Sequence, residues 1–251
     1  MNEKIALIGT RGDDASYTIY NYFISLDSSR ERYYLVDGRL PLLTDTEDIV
    51  DPKYGVMIFL SRHASEKKIN SITVHSVGNF SRADLGGVER EICPSSPEIQ
   101  TAMLRKMRES YDGDKYQVTF EATHHGPLTR RPIIFAEIGT EPENWHDPVA
   151  LDVLYRGVMN YDEKDYGNYV AAGGGHYAPK FSSYIMDNRV NIGHIISKYR
   201  LEEITEREIV MAVERTPKCR GFIIDKKGTK SEGYGRIKTV ADERSLEIIN
   251  I

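Results

Sequence analysis

Seven histidines occur in 251 residues, and three of them fall in two short segments rich in glycine and proline. One is Phe120-Glu-Ala-Thr-His-His-Gly-Pro-Leu-Thr129; the other is Ala171-Ala-Gly-Gly-Gly-His-Tyr-Ala-Pro179. Imidazole is a proton carrier and a metal ligand near neutral pH. Glycine lets backbone approach a ligand closely, and proline fixes the exit from a strand. We read the two segments as two walls of one active site. The side chains that could converge there are His63, His124 or His125, Glu137, His176 and His194. Imidazole with carboxylate suits zinc, with an open position for the water of a hydrolysis. No His-Glu-x-x-His spacing occurs, so spacing alone lends a metal little support. Without a metal, a His–Glu pair could act as general base and orienting partner.

The glycine run 173–175 has two functional readings: amides that cradle a phosphate or oxyanion, or a wall where a ligand fits only because no side chain projects. The plainer reading is a flexible turn. It is not a phosphate-binding Walker loop, since no Gly-Lys-Ser/Thr follows. Thr129, Arg130 and Arg131 follow the histidine pair and could hold phosphates, or could form a solvated turn. Tyr177 could stack on a base or sit in the core. Neighbours on a strand point to opposite faces, so His124 and His125 cannot both face one point unless the strand breaks. Strand geometry leaves open which of them faces the chemistry.

These residues need strands to carry them. Lys4–Gly9 and Tyr54–Leu60 read as buried strands, the second delivering Ser61-Arg-His-Ala-Ser65 at its carboxyl end, where open α/β sheets bind ligands. Further strands are expected at 33–36, 71–76, 116–122, 132–138, 169–172, 191–196, 221–225 and 245–251. Helices are expected from Asp14, from a Ser95/Glu98 capping box, from Asp147-Pro148 and from a Thr205/Glu208 capping box. Residues 79–93 read as a loop or lid, and Lys226–Gly233 as a basic loop. The alternation predicts a mixed sheet covered on both faces, in a single domain over 1–251.

The formal charge of −5 and a pI near 5.9 argue against sequence-independent nucleic-acid binding over the whole surface, while leaving room for a local basic patch. Two distant cysteines, Cys93 and Cys219, suggest a reducing compartment and leave any metal site to His and carboxylates. No run is long enough to span a membrane, and the first residues lack signal-peptide anatomy. A cytoplasmic monomer with no membrane association is the expectation.

The pieces Ser61–Ser65, Glu121–Pro127, Ile133–Gly139 with Trp145, Ala172–Pro179 and Gly193-His194 occur in one order across most of the chain. In that ordered set the sequence resembles the archaeal and plant type of D-aminoacyl-tRNA deacylase. The resemblance implies a three-layer α/β/α fold with a mixed sheet, of the phosphorylase and peptidyl-tRNA hydrolase group. It implies hydrolysis of the ester joining a D-amino acid to the 3′ end of tRNA, broad side-chain scope, and zinc. By residue type and placement we assign His125 and His176 to catalysis, and His63, His124, Glu137 and His194 to the metal. Gly126, Thr129, Arg130, Gly173, Gly174, Gly175 and Tyr177 are assigned to the substrate. The alternatives are another hydrolase of this fold, which would cleave peptides or peptidyl-tRNA, and a non-enzymatic RNA-binding protein.

Overall fold

Six strands make a mixed sheet in the order β2-β1-β3-β8-β4-β7, in a computed structural model that describes residues 4–64 and 68–251. Ser65, the last residue of the first motif, and Met1 to Glu3 lie outside the described residues. In chain order the strands are β1 (Ile5–Thr10), β2 (Tyr33–Val36), β3 (Val56–His63), β4 (Ser71–Ser76), a short pair β5 (Gly78–Asn79) and β6 (Glu91–Ile92), β7 (Gln117–Phe120) and β8 (Ile133–Gly139). Strand β4 runs antiparallel to β8 and parallel to β7, while β2, β1, β3 and β8 are mutually parallel.

A second, all-parallel sheet follows the order β10-β9-β11-β12, built from β9 (Gly167–Ala172), β10 (Val190–Ile196), β11 (Cys219–Ile224) and β12 (Glu247–Asn250). The expected mixed sheet is the six-stranded one; the late strands pair with each other in this second sheet and not with β1–β8.

Alternation along the strands sorts the side chains. Ile58, Leu60, Ile134 and Ala136 face a large core with Ile19 and Phe23 of the Asp14–Leu26 helix, Ile99 and Met103 of the Pro97–Glu109 helix, and Leu154 of the Pro148–Met159 helix. Tyr169, Ile192 and Ile223 of the second sheet join the same core. The opposite face of the second sheet, with Phe222 and Ile224, is covered by Ile209 of the Glu206–Glu214 helix and Ile237 of the Ser231–Arg244 helix. The Thr205/Glu208 capping box forms as expected. The Ser95/Glu98 box does not: Ser95 Oγ donates to Arg215 O, and Glu98 accepts from Asn168. The helix begins after Ser96 instead.

Candidate active site

Register puts the chemistry on the other face of the six-stranded sheet. Ser61, Glu137 and Thr73 lie side by side across β3, β8 and β4. One row over, Phe135 pairs with His75, and one step beyond the Val74–Phe120 pair places Glu121 beside His75. His63 is two residues past Ser61, so it shares that face. Strands β3, β4 and β8 and the residue that follows β7 thus bring His63, His75, Glu137 and Glu121 together. The Tyr177 segment closes over them: it bridges to Glu121, and Ala122 N–H donates to His176 O at 2.8 Å.

Glu121 is the hub. It is buried, with His63 Nδ1 at 3.0 Å, His176 Nε2 at 2.9 Å and His124 Nε2 at 3.7 Å from Oε2. These contacts are close, yet none is aligned as a hydrogen bond, and among the described residues both buried Glu121 oxygens have no hydrogen-bond partner. Ligand atoms of His63, Glu121, His124 and His176 all lie within 4.8 Å of one another. An orphaned buried carboxylate facing three imidazole nitrogens is costly alone and is what a cation would satisfy. Three imidazoles and one carboxylate are thus a group that could hold a metal ion. Glu137 forms the second centre, 3.7 Å from His63 Nδ1 and 3.6 Å from His75 Nε2.

Both members of the histidine pair reach the site. His125 has a φ of 45°, in the left-handed region, so the chain turns there and the alternation ends. The His124 and His125 ring centroids are 4.3 Å apart, and both side chains line a cavity of about 690 Å³ with His63, Glu137, Gly175 and Tyr177. The nitrogens are oriented by backbone: His124 Nδ1 bonds Ala122 O at 2.9 Å and His125 Nδ1 bonds Gly126 O at 2.7 Å.

Several expected residues do not join the site. His194 is fully buried, its Nδ1 held by Thr123 Oγ1 at 3.1 Å and its Nε2 by Cys93 O at 3.1 Å, so no ring nitrogen is left for a metal. Thr129 Oγ1 donates to Arg131 O, and Arg130 points to solvent and pairs with Glu47. Neither lines the cavity, and nor do Gly126, Gly173 and Gly174. Gly126 is required by packing: a Cβ there would meet Gly87 N at 2.2 Å. Gly173 and Gly174 have φ of +106° and +72° and shape the turn, and the Gly173 amide is committed to Ile196 O. Of the glycine run, Gly175 alone borders the cavity.

Glu121 and His75 were missed as site residues. Each interrupts a buried strand with a titratable group, which demands a partner; that signal is present in the sequence, although the partner's identity is not.

Charge is distributed unevenly over the cluster. Burial works against charging His63, but Glu121 and Glu137 outweigh it and push its pKa up to about 11. His75 is raised too, against burial, by Glu137. Burial would raise Glu137, yet His63 and His75 hold it down to about 2; Glu121 is held well below the usual carboxylate range, against burial, by His176 and His63. Burial and the neighbouring imidazoles drive His124 well below the usual range, and burial and His75 bring His125 to about 4.

Each of these shifts makes the folded state's stability depend on pH. The depressed His125 removes stability as pH falls from 6.5 toward 4, and the depressed Glu137 removes it between 4.5 and 2. The raised His63 contributes fully below 6.5, and its contribution declines from there until pH has risen through about 11. The metal-free protein is therefore expected to lose melting temperature as pH falls below 6.5. A thermal melt series in chelator, flat from pH 6.5 to 4, would contradict these assignments.

Among the described residues, no helix is long and apolar enough to cross a membrane. The crystal structure of a conserved protein of unknown function superposes with a TM-score of 0.90 at 24% identity, over 100% of this chain and 96% of that one. That likeness shows the fold. A D-aminoacyl-tRNA deacylase of Thermoplasma acidophilum is 44% identical over 98% of this chain and 99% of its own length. One of Picrophilus torridus is 40% identical over 98% and 99%. The family model for D-aminoacyl-tRNA deacylase matches residues 50–249, a span that holds every residue of the imidazole and carboxylate cluster. With these matches running nearly end to end, the chain belongs to the D-aminoacyl-tRNA deacylase family.

Proposed function

We propose that this chain hydrolyses the ester linking a D-amino acid to the 3′ end of tRNA, releasing free tRNA and the D-amino acid. The observation that carries the reading is Glu121, buried beneath a cavity and ringed by three imidazoles, in a chain of this family. His63, Glu121 and His124 would hold zinc: they offer nitrogen and oxygen donors, and three protein ligands are the usual complement of a catalytic site. Bound there, zinc would polarise the ester carbonyl and lower the pKa of water.

The chain's own side chains supply the rest. His176 is the most exposed of the group, with its side chain 42% accessible, and Nε2 sits 2.9 Å from Glu121. That placement suits a proton carrier: it takes the proton of the attacking water and returns it to the ribose oxygen. His125 donates through Nδ1 to Gly126 O, so its Nε2 is an acceptor at the cavity wall. It stays neutral near pH 7, and its part is to accept a hydrogen bond from a substrate hydroxyl or ammonium. Glu137 holds His63 and His75 in place. The amide of Gly175 faces the developing oxyanion. Tyr177 lies against the His63 and His176 rings, at centroid distances of 5.2 and 5.7 Å, and borders the terminal adenosine. One chain supplies every group, which fits a monomeric enzyme.

The test is hydrolysis of D-tyrosyl-tRNA against L-tyrosyl-tRNA, with and without chelator. We expect turnover of the D ester only, lost in chelator and restored by zinc. Equal turnover of both esters, or cleavage of free peptides, would replace this reading with that of another hydrolase.

A further inference from the structure

We propose that Lys198 and Tyr199, with the Lys226–Lys227 loop, form a docking track for the RNA strand whose end enters the cavity: Tyr199 stacks on a base and the lysines meet phosphates. This rests on the functional reading above and names how the same substrate is held outside the reacting centre.

The cavity of about 690 Å³ is of a size for an aminoacylated nucleoside, so the strand behind it must cross the rim. Tyr199 lines that cavity and is nonetheless 60% exposed. A large aromatic left in water at a cavity mouth is a ready stacking platform. Lys198 lies against it, with Nζ 5.1 Å from the ring centroid.

The segment is anchored to the glycine turn, since Lys198 N–H donates to Gly174 O at 3.0 Å. The same turn abuts the basic loop from the other side. A Cβ on Gly173 would fall 2.4 Å from Thr229 Oγ1, and one on Gly228 would fall 2.8 Å from Gly174 N. The turn 173–175 therefore joins three things: the cavity through Gly175, the Lys198–Tyr199 segment, and the loop. That close packing requires Gly173 and Gly228, while Gly174 is needed for its left-handed backbone, φ +72°.

The loop is fixed, not loose. Asp225 N–H donates to Ala172 O at 2.9 Å, and the Asp225 carboxylate accepts from Gly228 N–H at 3.2 Å. Two nearby lysines are already neutralised, Lys180 by Asp225 at 2.7 Å and Lys230 by Glu202 at 2.9 Å. Lys226 and Lys227 are exposed, and among the described residues neither they nor Lys198 has a carboxylate partner. On a chain of net charge −5, a lysine over an exposed aromatic and two exposed lysines on a loop packed against the same turn form a local track that general surface charge does not explain. Aromatic stacking combined with cations along the backbone is how single-stranded RNA ends are held.

The experiment measures D-tyrosyl-tRNA deacylation across a salt series, with binding of deacylated tRNA followed by fluorescence anisotropy. Lys226→Ala/Lys227→Ala is expected to raise KM about 10-fold at low salt. It should also flatten the plot of log binding constant against log salt by about 1.4 to 1.8, as for two phosphates. Tyr199→Ala should weaken binding about 5- to 100-fold with the salt slope kept, and Tyr199→Phe should restore it. Lys53→Ala is the comparison: that lysine pairs with Glu31 and precedes β3, at the end opposite His63. Variants with wild-type KM, affinity and salt slope would overturn the track. A wild-type protein that binds tRNA with these dependences but fails to hydrolyse the D ester would overturn the functional reading and leave the track standing.

Discussion

Glu121→Gln is expected to lower kcat for D-tyrosyl-tRNA by about 10²- to 10⁴-fold while the protein stays folded. The change is close to isosteric in a site with no room to relax, so volume is preserved. What it removes is the one charge that His63, His124 and His176 share, at 3.0, 3.7 and 2.9 Å. An amide nitrogen in place of Oε2 would point donors at imidazole nitrogens that must themselves be free to bind or accept. Retained zinc should fall together with kcat, measured by elemental analysis of the purified variant. The fold should survive because Glu137 remains to balance His63 and His75. Glu137→Gln should do less, since it is a partner of two imidazoles and not of three. A Glu121→Gln enzyme within threefold of wild-type kcat, with its metal retained, would remove Glu121 from the centre of the site.

The contrast between Glu121 and His194 shows what the sequence could and could not convey. Apolar runs and capping residues gave β3, β8 and the helix after Thr205, because those signals are local. The site is not local: β8 lies between β3 and β4 in space, and only that order brings Glu137 beside both His63 and His75. His194 shares the glycine–histidine look of the true site, but Thr123 and Cys93 O take both of its nitrogens. Residue type cannot separate a satisfied core histidine from a ligand. His124 and His125 raised a question that alternation alone could not answer. The left-handed backbone at His125 resolves it by bringing both into the cluster. Glu98 likewise had the right spacing for a capping box, and Asn168, distant in sequence, claims it instead.

The glycine turn offers the second large effect, and its three members should behave differently. Gly175→Val is expected to reduce kcat/KM for D-aminoacyl-tRNA by about 10²-fold with an unchanged melting temperature. A Cβ at Gly175 would have its nearest neighbour at Tyr177 O, 3.7 Å away, so the protein itself accommodates the branching carbon. The cavity does not, because Gly175 is part of its lining. Gly173→Ala is the opposite case: φ is +106° and Thr229 Oγ1 would be 2.4 Å from the new carbon, so stability falls. The Gly175 variant therefore isolates the wall of the binding site from the folding of the turn. A backbone wall excludes by shape at the ester and Cα, without contacting the amino-acid side chain, and that is how one enantiomer can be refused over a broad range of substrates. On that account the loss at Gly175→Val should be the same for D-tyrosyl and D-aspartyl esters. A loss that scaled with the size of the amino acid would place Gly175 in the side-chain pocket, and the backbone-wall explanation of broad scope would fall.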